Sequence, residues 1–192
     1  MALAGDLLPP PAAVDCARPP NAAGATPSPS EREGPMLRVY RIYHGSVVEG
    51  PGRRSVLQVV GCGVRCAGCS VPETWDPRGG AAMSVGEVVE ALLDPEGEPR
   101  DGVTLLGGEP LDQPESIAAV MRELKARGQH LVLYSGRTLG ALARRPEPSV
   151  REALTLADVL IDGPYVRRLA EGAGEWRGSR NQNIIQLPGL WL

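Results

Sequence analysis

Apolar residues follow two different periods along the chain, and the two alternate from residue 36 onward. Short β-branched runs such as 55–60 (SVLQVV) predict buried strands. Stretches with apolar residues three and four positions apart, such as 114–124, predict amphipathic helices. The alternation indicates βα units around a mostly parallel sheet. The predicted strands are 37–43, 55–60, 103–106, 130–134, 157–161 and 183–187.

Capping signals mark where several of the predicted helices begin. Ser84 and Glu87 have the spacing of a capping box, and apolar positions of a helix follow them. Thr138 is predicted to cap a short helix. Ser149 and Glu152 repeat the capping-box spacing and predict a further helix start.

Residues 1–35 are different in composition, being rich in Pro, Ala, Ser and Gly without any apolar period. Such a segment buries too little apolar surface to offset the entropy of ordering it, so we expect a disordered tail. Met36 directly follows it and is an alternative start of the chain. The remaining domain, 36–192, falls well short of the ~250 residues of an eightfold βα barrel. An α/β fold with an incomplete barrel or open sheet is therefore predicted.

Charge and hydropathy narrow the classes of function. The net charge is −3, which gives no broad basic surface for nucleic acid. No apolar run reaches the ~20 residues of a membrane span, and the N-terminus lacks the pattern of a secretion signal. We therefore expect a cytoplasmic protein with reduced thiols, without nucleic-acid or membrane partners. In that compartment, clustered cysteines indicate metal binding or catalysis.

Unusual residues follow four of the predicted strands. In βα folds the loops at the carboxyl ends of parallel strands lie close together and carry the chemistry. Each segment alone is typical of a turn, but their joint placement predicts one site formed by four loops. The segments are 61–69 (GCGVRCAGC), 107–110 (GGEP), 135–136 (SG) and 162–164 (DGP).

Three of the four cysteines, Cys62, Cys66 and Cys69, form a C-x3-C-x2-C pattern on one loop. Three thiolates can bind three irons of a 4Fe–4S cube, which leaves one iron open to a ligand. The fourth cysteine, Cys16, lies in the tail and is interpreted as a stray thiol. A structural zinc site is the alternative, with His44 or His130 as a further ligand, although neither has a usual finger spacing.

These motifs resemble the radical S-adenosylmethionine superfamily, in which C-x3-C-x2-C follows the first barrel strand and a GGEP segment follows a later one. Within it, the small activases of anaerobic ribonucleotide reductase are most similar. Their likeness extends over residues 37–187 and rests on four further segments. They are 49–53 (EGPGR), 75–76 (WD), 158–164 (DVLIDGP) and 176–182 (WRGSRNQ). Ser70-Val71 departs from the family, which often has an aromatic residue or His and then Asn.

The resemblance implies a fold, cofactors and a reaction. The fold would be the incomplete (β/α) barrel of radical S-adenosylmethionine enzymes. A 4Fe–4S cluster on the three cysteines would reductively cleave S-adenosylmethionine to a 5′-deoxyadenosyl radical. That radical would generate a glycyl radical on a partner enzyme, namely the anaerobic ribonucleotide reductase. A flavodoxin or ferredoxin-like protein would supply the electron.

The resemblance also implies roles for individual residues. Gly68 and Ser70 would lie against the adenine, and residues 107–110 would meet the methionine amino group. Ser135 and Asp162 would face the ribose or the carboxylate. No catalytic residue is implied beyond the cluster ligands. The full set for S-adenosylmethionine is Gly68, Ser70, Gly107, Gly108, Glu109, Pro110, Ser135 and Asp162.

Each implied role has a structural alternative. The Glu109 carboxylate could instead brace its own turn, and Ser135 and Asp162 could cap turns. Arg177, Arg180 and Asn181 would contact S-adenosylmethionine or the partner protein, or else form a solvated loop. Two other functions stay open: a radical enzyme acting on a small molecule, such as a carboxy-deazaguanine synthase, and a non-catalytic metal-binding module.

Overall fold

A seven-stranded sheet organises the part of the chain that the computed structural model describes, residues 34–94 and 99–187. Residues 1–33, which include Cys16 and nearly all of the predicted tail, lie outside it. The strands are β1 (Met36–Ser46), β2 (Arg54–Val59), β3 (Ala81–Ser84), β4 (Gly102–Gly107), β5 (Leu131–Ser135), β6 (Val159–Asp162) and β7 (Asn183–Gln186). The helices are α1 (Val85–Leu92), α2 (Pro114–Ala126), α3 (Leu139–Leu142) and α4 (Pro148–Leu156).

The order of the strands in the sheet is β3-β1-β2-β4-β5-β6-β7. The central strands β2, β4, β5 and β6 are parallel, whereas β1, β3 and β7 pair antiparallel with their neighbours. The connection between β1 and β2 is too short for a crossover, so these two strands form a hairpin. The predicted α/β fold with an incomplete barrel is confirmed, because the sheet stays open between its edge strands β3 and β7. Strand β3 was not predicted.

The main hydrophobic core lies between the helices and one face of the sheet. The apolar stripe of α2 is fully buried, as its 3.6-residue period predicts. Side chains of the central strands, such as Leu57, Leu105 and Leu133, pack in the same cluster. On the opposite face, Val132, Val159 and Ile161 form a separate small cluster with Tyr134 and Trp176. Tyr134 of this cluster also lines a cavity on this second face.

The helix starts confirm two of the three capping predictions. Ser84 accepts a hydrogen bond from the Glu87 N–H in a complete capping box, and the Thr138 side chain caps α3. The predicted capping box at Ser149 is wrong. Pro148 opens α4 two residues before the start that a Ser149 cap would give, since its fixed φ suits the first helical position. The Ser149 hydroxyl has no hydrogen-bond partner among the described residues. No helix of the described residues is long and apolar enough to cross a bilayer.

A β-bulge in β1 changes which side chains face the helices. Val39 pairs with Val59, whereas Arg41 pairs with Gln58, so two residues of β1 advance against one of β2. Val39 packs in the main core before the bulge. Arg41 lies beyond it and borders the cavity on the opposite face, together with its neighbour Gln58.

Candidate functional site

The four segments singled out in the sequence meet at one cavity of about 380 Å³. It lies at the carboxyl ends of the parallel strands, as the βα architecture predicts. The sulfur-bearing residues Cys62, Cys66 and Cys69 all line it. Its other lining residues from the four segments are Val64, Gly107, Gly108, Pro110, Ser135, Gly136 and Gly163.

The cysteine loop has a conformation that turns main-chain N–H groups toward a thiol. Arg65 has a φ of 48°, which is uncommon for a residue with a side chain. Burial raises the pKa of the Cys62 thiol, while hydrogen bonds from the N–H groups of Arg65 and Val64 oppose that rise. The Cys69 N–H donates to the Cys66 carbonyl over 3.1 Å and closes a turn between the last two cysteines. Such N–H groups stabilise sulfur ligands that carry negative charge.

Main-chain hydrogen bonds hold the cysteine loop against the GGEP segment. The Glu109 N–H donates to the Gly61 carbonyl over 2.7 Å, and the Gly108 N–H donates to the Val59 carbonyl over 2.8 Å. A Cβ on Gly108 would lie 2.3 Å from the Gly61 oxygen, so only glycine allows this approach. The two segments therefore form one rigid wall of the cavity.

The Glu109 side chain braces this wall from within. It is fully buried and does not line the cavity. The Ser135 hydroxyl donates to both carboxylate oxygens over 3.0 Å, and the Gly136 and Leu111 N–H groups donate over 2.9 and 3.1 Å. Burial raises the pKa of Glu109, and the charge of Arg137 together with these hydrogen bonds opposes that rise. These contacts of Glu109 are those of a side chain that braces its own turn, which is the alternative to ligand binding that the sequence left open.

An ion pair extends from Glu109 to the cysteine loop. Arg137 Nη1 lies 3.5 Å from the Glu109 carboxylate, and its Nη2 lies 2.9 Å from Asp112 Oδ1. Asp112 in turn accepts the Gly63 N–H over 2.7 Å, between the first and second cysteines. This chain of contacts fixes the loop segment beside Cys62, and nothing in the sequence signalled it beyond the presence of the charges.

The eight residues predicted to bind S-adenosylmethionine divide into two sets. Three of them are not on the cavity: Glu109, Gly68 and Asp162. Gly68 packs against the Arg167 side chain. Asp162 is buried, accepting the Leu139 N–H over 2.5 Å and the Asn183 amide over 2.8 Å. The five that line the cavity with the thiols are Ser70, Gly107, Gly108, Pro110 and Ser135.

The cavity has the donor set that an iron–sulfur cube requires. Three thiols lie on a glycine-rich loop whose N–H groups turn inward, and each thiolate of a cube binds a different iron. The indole nitrogen Nε1 of Trp75, which also lines the cavity, is buried without a hydrogen-bond partner among the described residues. A buried donor of this kind is suited to a sulfide or thiolate acceptor. No three His, Cys, Asp or Glu side chains in the described ranges converge on the position of a single metal ion.

The two histidines considered as zinc ligands lie elsewhere. The His44 ring nitrogen Nδ1 is 2.9 Å from the Ser55 hydroxyl, and His130 Nδ1 is 3.4 Å from the Arg54 guanidinium. Neither histidine is among the residues that line the cavity. Burial lowers the pKa of both imidazoles, as expected for structural side chains.

The cavity also has a polar end that the sequence did not predict. It is formed by Arg41, Tyr43, Glu49 and Gln58, which we call the Arg41 end. Two hints stand in the sequence: Gln58 is a polar residue inside the apolar run 55–60, and Glu49 opens the EGPGR segment. It accepts from the Arg41 Nε over 2.6 Å.

The fold and the cysteine loop define an iron–sulfur protein that carries a single cluster. A family model described as a 4Fe-4S single cluster domain matches residues 48–185. That match covers the cysteine loop, all four parallel strands and most of β7.

Curated relatives narrow the class further. The chain is 31% identical over 157 residues to an anaerobic ribonucleoside-triphosphate reductase-activating protein of Salmonella typhi, covering 79% of this chain and 99% of that protein. It is 34% identical over 156 residues to the protein of the same name from Enterobacteria phage T4, covering 79% and 96%. A pyruvate formate-lyase-activating enzyme of Clostridium pasteurianum is 36% identical over 104 residues, covering 51% and 42%. The chain belongs to the family of anaerobic ribonucleoside-triphosphate reductase-activating proteins. This confirms the resemblance seen in the sequence and the predicted cofactors, a 4Fe–4S cluster and S-adenosylmethionine.

Proposed function

We propose that this chain is a radical S-adenosylmethionine activase that generates a glycyl radical on an anaerobic ribonucleoside-triphosphate reductase. The observation that carries the proposal is the placement of Cys62, Cys66 and Cys69 on one cavity with the GGEP segment. The names of the relatives supply the partner, since proteins similar over nearly their whole length activate that reductase.

When bound, the cluster and S-adenosylmethionine would supply the one-electron cleavage of a carbon–sulfur bond. The adenosyl radical from that cleavage would take a hydrogen atom from the partner's glycine. Cys62, Cys66 and Cys69 would hold three irons. Gly107, Gly108 and Pro110 would position S-adenosylmethionine beside the open iron, and Ser70 and Ser135 complete the same wall. The chain thereby orients the reactants and excludes water and oxygen.

The proposed chemistry also requires a protein that donates an electron. Cleavage requires one electron from outside, and a flavodoxin or ferredoxin-like protein is the proposed source. Arg65 is exposed between the first and second cysteines and borders a second cavity that also includes Cys62. An exposed cation beside a cluster ligand favours an acidic donor protein.

The decisive experiment is anaerobic reconstitution with iron and sulfide, reduction with dithionite and addition of S-adenosylmethionine. We expect 5′-deoxyadenosine from the wild type and none from Cys66→Ala. Cys16→Ala is the matched control, because it removes a cysteine outside the motif, and it should retain the product.

The partner is tested by adding the anaerobic ribonucleoside-triphosphate reductase and recording the electron paramagnetic resonance spectrum of a glycyl radical. 5′-Deoxyadenosine without any radical on the reductase would refute the proposed partner. Bound zinc in place of iron, with no product, would refute the radical chemistry and leave a metal-binding module.

A further inference from the structure

A second cavity, of about 440 Å³, lies beside the cavity that the three cysteines line. Cys62 and Trp75 line both cavities, whereas Cys66 and Cys69 border only the first. A cluster bound to the three thiols would therefore have one of its ligands, Cys62, within reach from a second side. The function proposed above uses only one residue of this second cavity, the exposed Arg65.

The electron has to reach the cluster while the first cavity is occupied. In the proposed reaction that cavity contains S-adenosylmethionine and receives the glycine of the partner enzyme. A donor protein docked over the same opening would compete with both, since two protein surfaces cannot cover one opening. Reduction moves one electron from the donor to the cluster and changes no bond, so the donor needs only a short distance to a cluster ligand. Cys62 offers that distance through the second cavity.

The second cavity carries uncompensated positive charge. The Arg65 side chain is exposed and forms no hydrogen bond or ion pair with any described residue. Arg38 donates from Nε and Nη2 to the Gly79 carbonyl over 3.0 and 2.7 Å, so a neutral group rather than a carboxylate meets its charge. Asp112 is the one carboxylate among the described residues that line this cavity, and it already lies 2.9 Å from Arg137. The field at the cavity is therefore positive.

The backbone of Arg65 directs its two ends to different partners. Its φ of 48° is uncommon for a residue with a side chain, and its N–H hydrogen-bonds to Cys62. The main chain thus stabilises a cluster ligand, while the guanidinium is exposed one residue before Cys66. A cation at the rim of a binding surface speeds and orients the approach of an acidic protein.

Resting on the function proposed above, we infer that the second cavity is the docking site of the acidic one-electron donor protein. Arg65 and Arg38 supply the positive field that attracts the donor and orients it over Cys62. Pro77, which is exposed at the rim, and Trp75 supply apolar contact. The donor site is separate from the S-adenosylmethionine site, so both can be occupied at once.

The test measures binding rather than turnover. The probe is oxidised flavodoxin, a small acidic protein, titrated into the reconstituted holoprotein by isothermal titration calorimetry. Arg65→Glu should raise the Kd about 3- to 20-fold, because it replaces an attractive rim charge by a repulsive one. Pro77→Glu adds a negative charge at the same rim without removing a cation, and it should also raise the Kd. The wild-type Kd should rise more steeply with salt than that of Arg65→Glu. Saturating S-adenosylmethionine should leave the wild-type Kd unchanged.

Arg151→Glu is the matched control. It makes the same change of charge at an exposed position of α4 that borders neither cavity, so the Kd should stay near the wild-type value. Circular dichroism melting and an iron determination accompany each variant.

Four results would overturn the inference: a wild type without affinity for flavodoxin, wild-type affinity in folded, iron-loaded Arg65→Glu and Pro77→Glu, an equal loss of affinity in Arg151→Glu, or displacement of flavodoxin by S-adenosylmethionine. A wild type that binds flavodoxin through Arg65 but forms no 5′-deoxyadenosine with dithionite would overturn the proposed function alone.

Discussion

Replacing Gly108 by alanine should separate the GGEP segment from the cysteine loop. The added Cβ would lie 2.3 Å from the Gly61 oxygen, 2.8 Å from the Gly61 carbonyl carbon and 3.0 Å from the Thr74 oxygen. All three are main-chain atoms, so no side-chain rotation relieves the clash. Gly108 does not have a positive φ, and the effect therefore comes from space alone. The wall must open between the two segments, which breaks the 2.7 Å hydrogen bond from the Glu109 N–H to Gly61.

The expected cost follows from these contacts. Overpacking of a buried site costs roughly 1–3 kcal/mol, and the lost hydrogen bond adds about 1 kcal/mol. A total of about 3 kcal/mol corresponds to a Tm about 6–12 °C lower for a chain of this size. The loop that carries the first cysteine would shift with Gly61, so the variant should also retain less iron after reconstitution.

Gly86→Ala provides a matched control of the opposite sign. Gly86 lies in α1, and an added Cβ meets nothing within 4 Å. Alanine is a better helix former, so this variant should gain about 0.5–1 kcal/mol without change in iron content. The assays are thermal unfolding by circular dichroism and a colorimetric iron determination. A Gly108→Ala protein with the Tm and iron content of the wild type would refute the proposed close approach.

Three further changes probe the surroundings of the site. Asp112→Ala removes the acceptor of the Gly63 N–H, so it should lower the free energy of unfolding by about 1.5 kcal/mol, measured by urea unfolding. It should also lower the amount of iron bound after reconstitution, measured by the iron assay. Arg54→Met leaves the carbonyl acceptors of a fully buried guanidinium without a donor, which should lower the free energy of unfolding in urea by about 3 kcal/mol. An unchanged urea unfolding curve would contradict this expectation. Burial alone would raise the pKa of Asp158, but hydrogen bonds, above all from Lys125, hold it below 3.8. Asp158→Asn should therefore cost about 2 kcal/mol at pH 7, and this difference should disappear as the pH falls through the lowered folded-state pKa, as followed by urea unfolding against pH.

The parts of the fold that could be predicted are those set by local signals. Proline at the start of α2 and the capping box at Ser84 are properties of a few neighbouring residues, and so is the spacing of the cysteines. Strand β3 carries no such signal, because its sequence AAMS is short and without alternation. It is formed by pairing with β1, from Met36 to Val39, which is a long-range contact.

The wall formed by the cysteine loop and the GGEP segment was predictable in outline, because the spacing of its cysteines and the glycines beside them are visible in the sequence. The role of Glu109 was not, because a carboxylate that faces a ligand and one that braces a turn occupy the same place in the sequence. In the structure the Glu109 carboxylate accepts hydrogen bonds from Ser135 and the Gly136 N–H, which come from the end of another strand. Asp162 is a similar case, since its partners Leu139 and Asn183 belong to other elements.

The Arg41 end could not be derived from periodicity, because the β-bulge reverses the alternation of β1. Without the bulge, Arg41 and Tyr43 would share the face of Leu37 and Val39 and would point into the helical core. The bulge instead turns Ile42 toward that core and places both polar side chains on the cavity. Bulges are typical next to functional sites, where they redirect side chains. The extra residue that disrupts the sequence pattern thus gives this cavity its polar end.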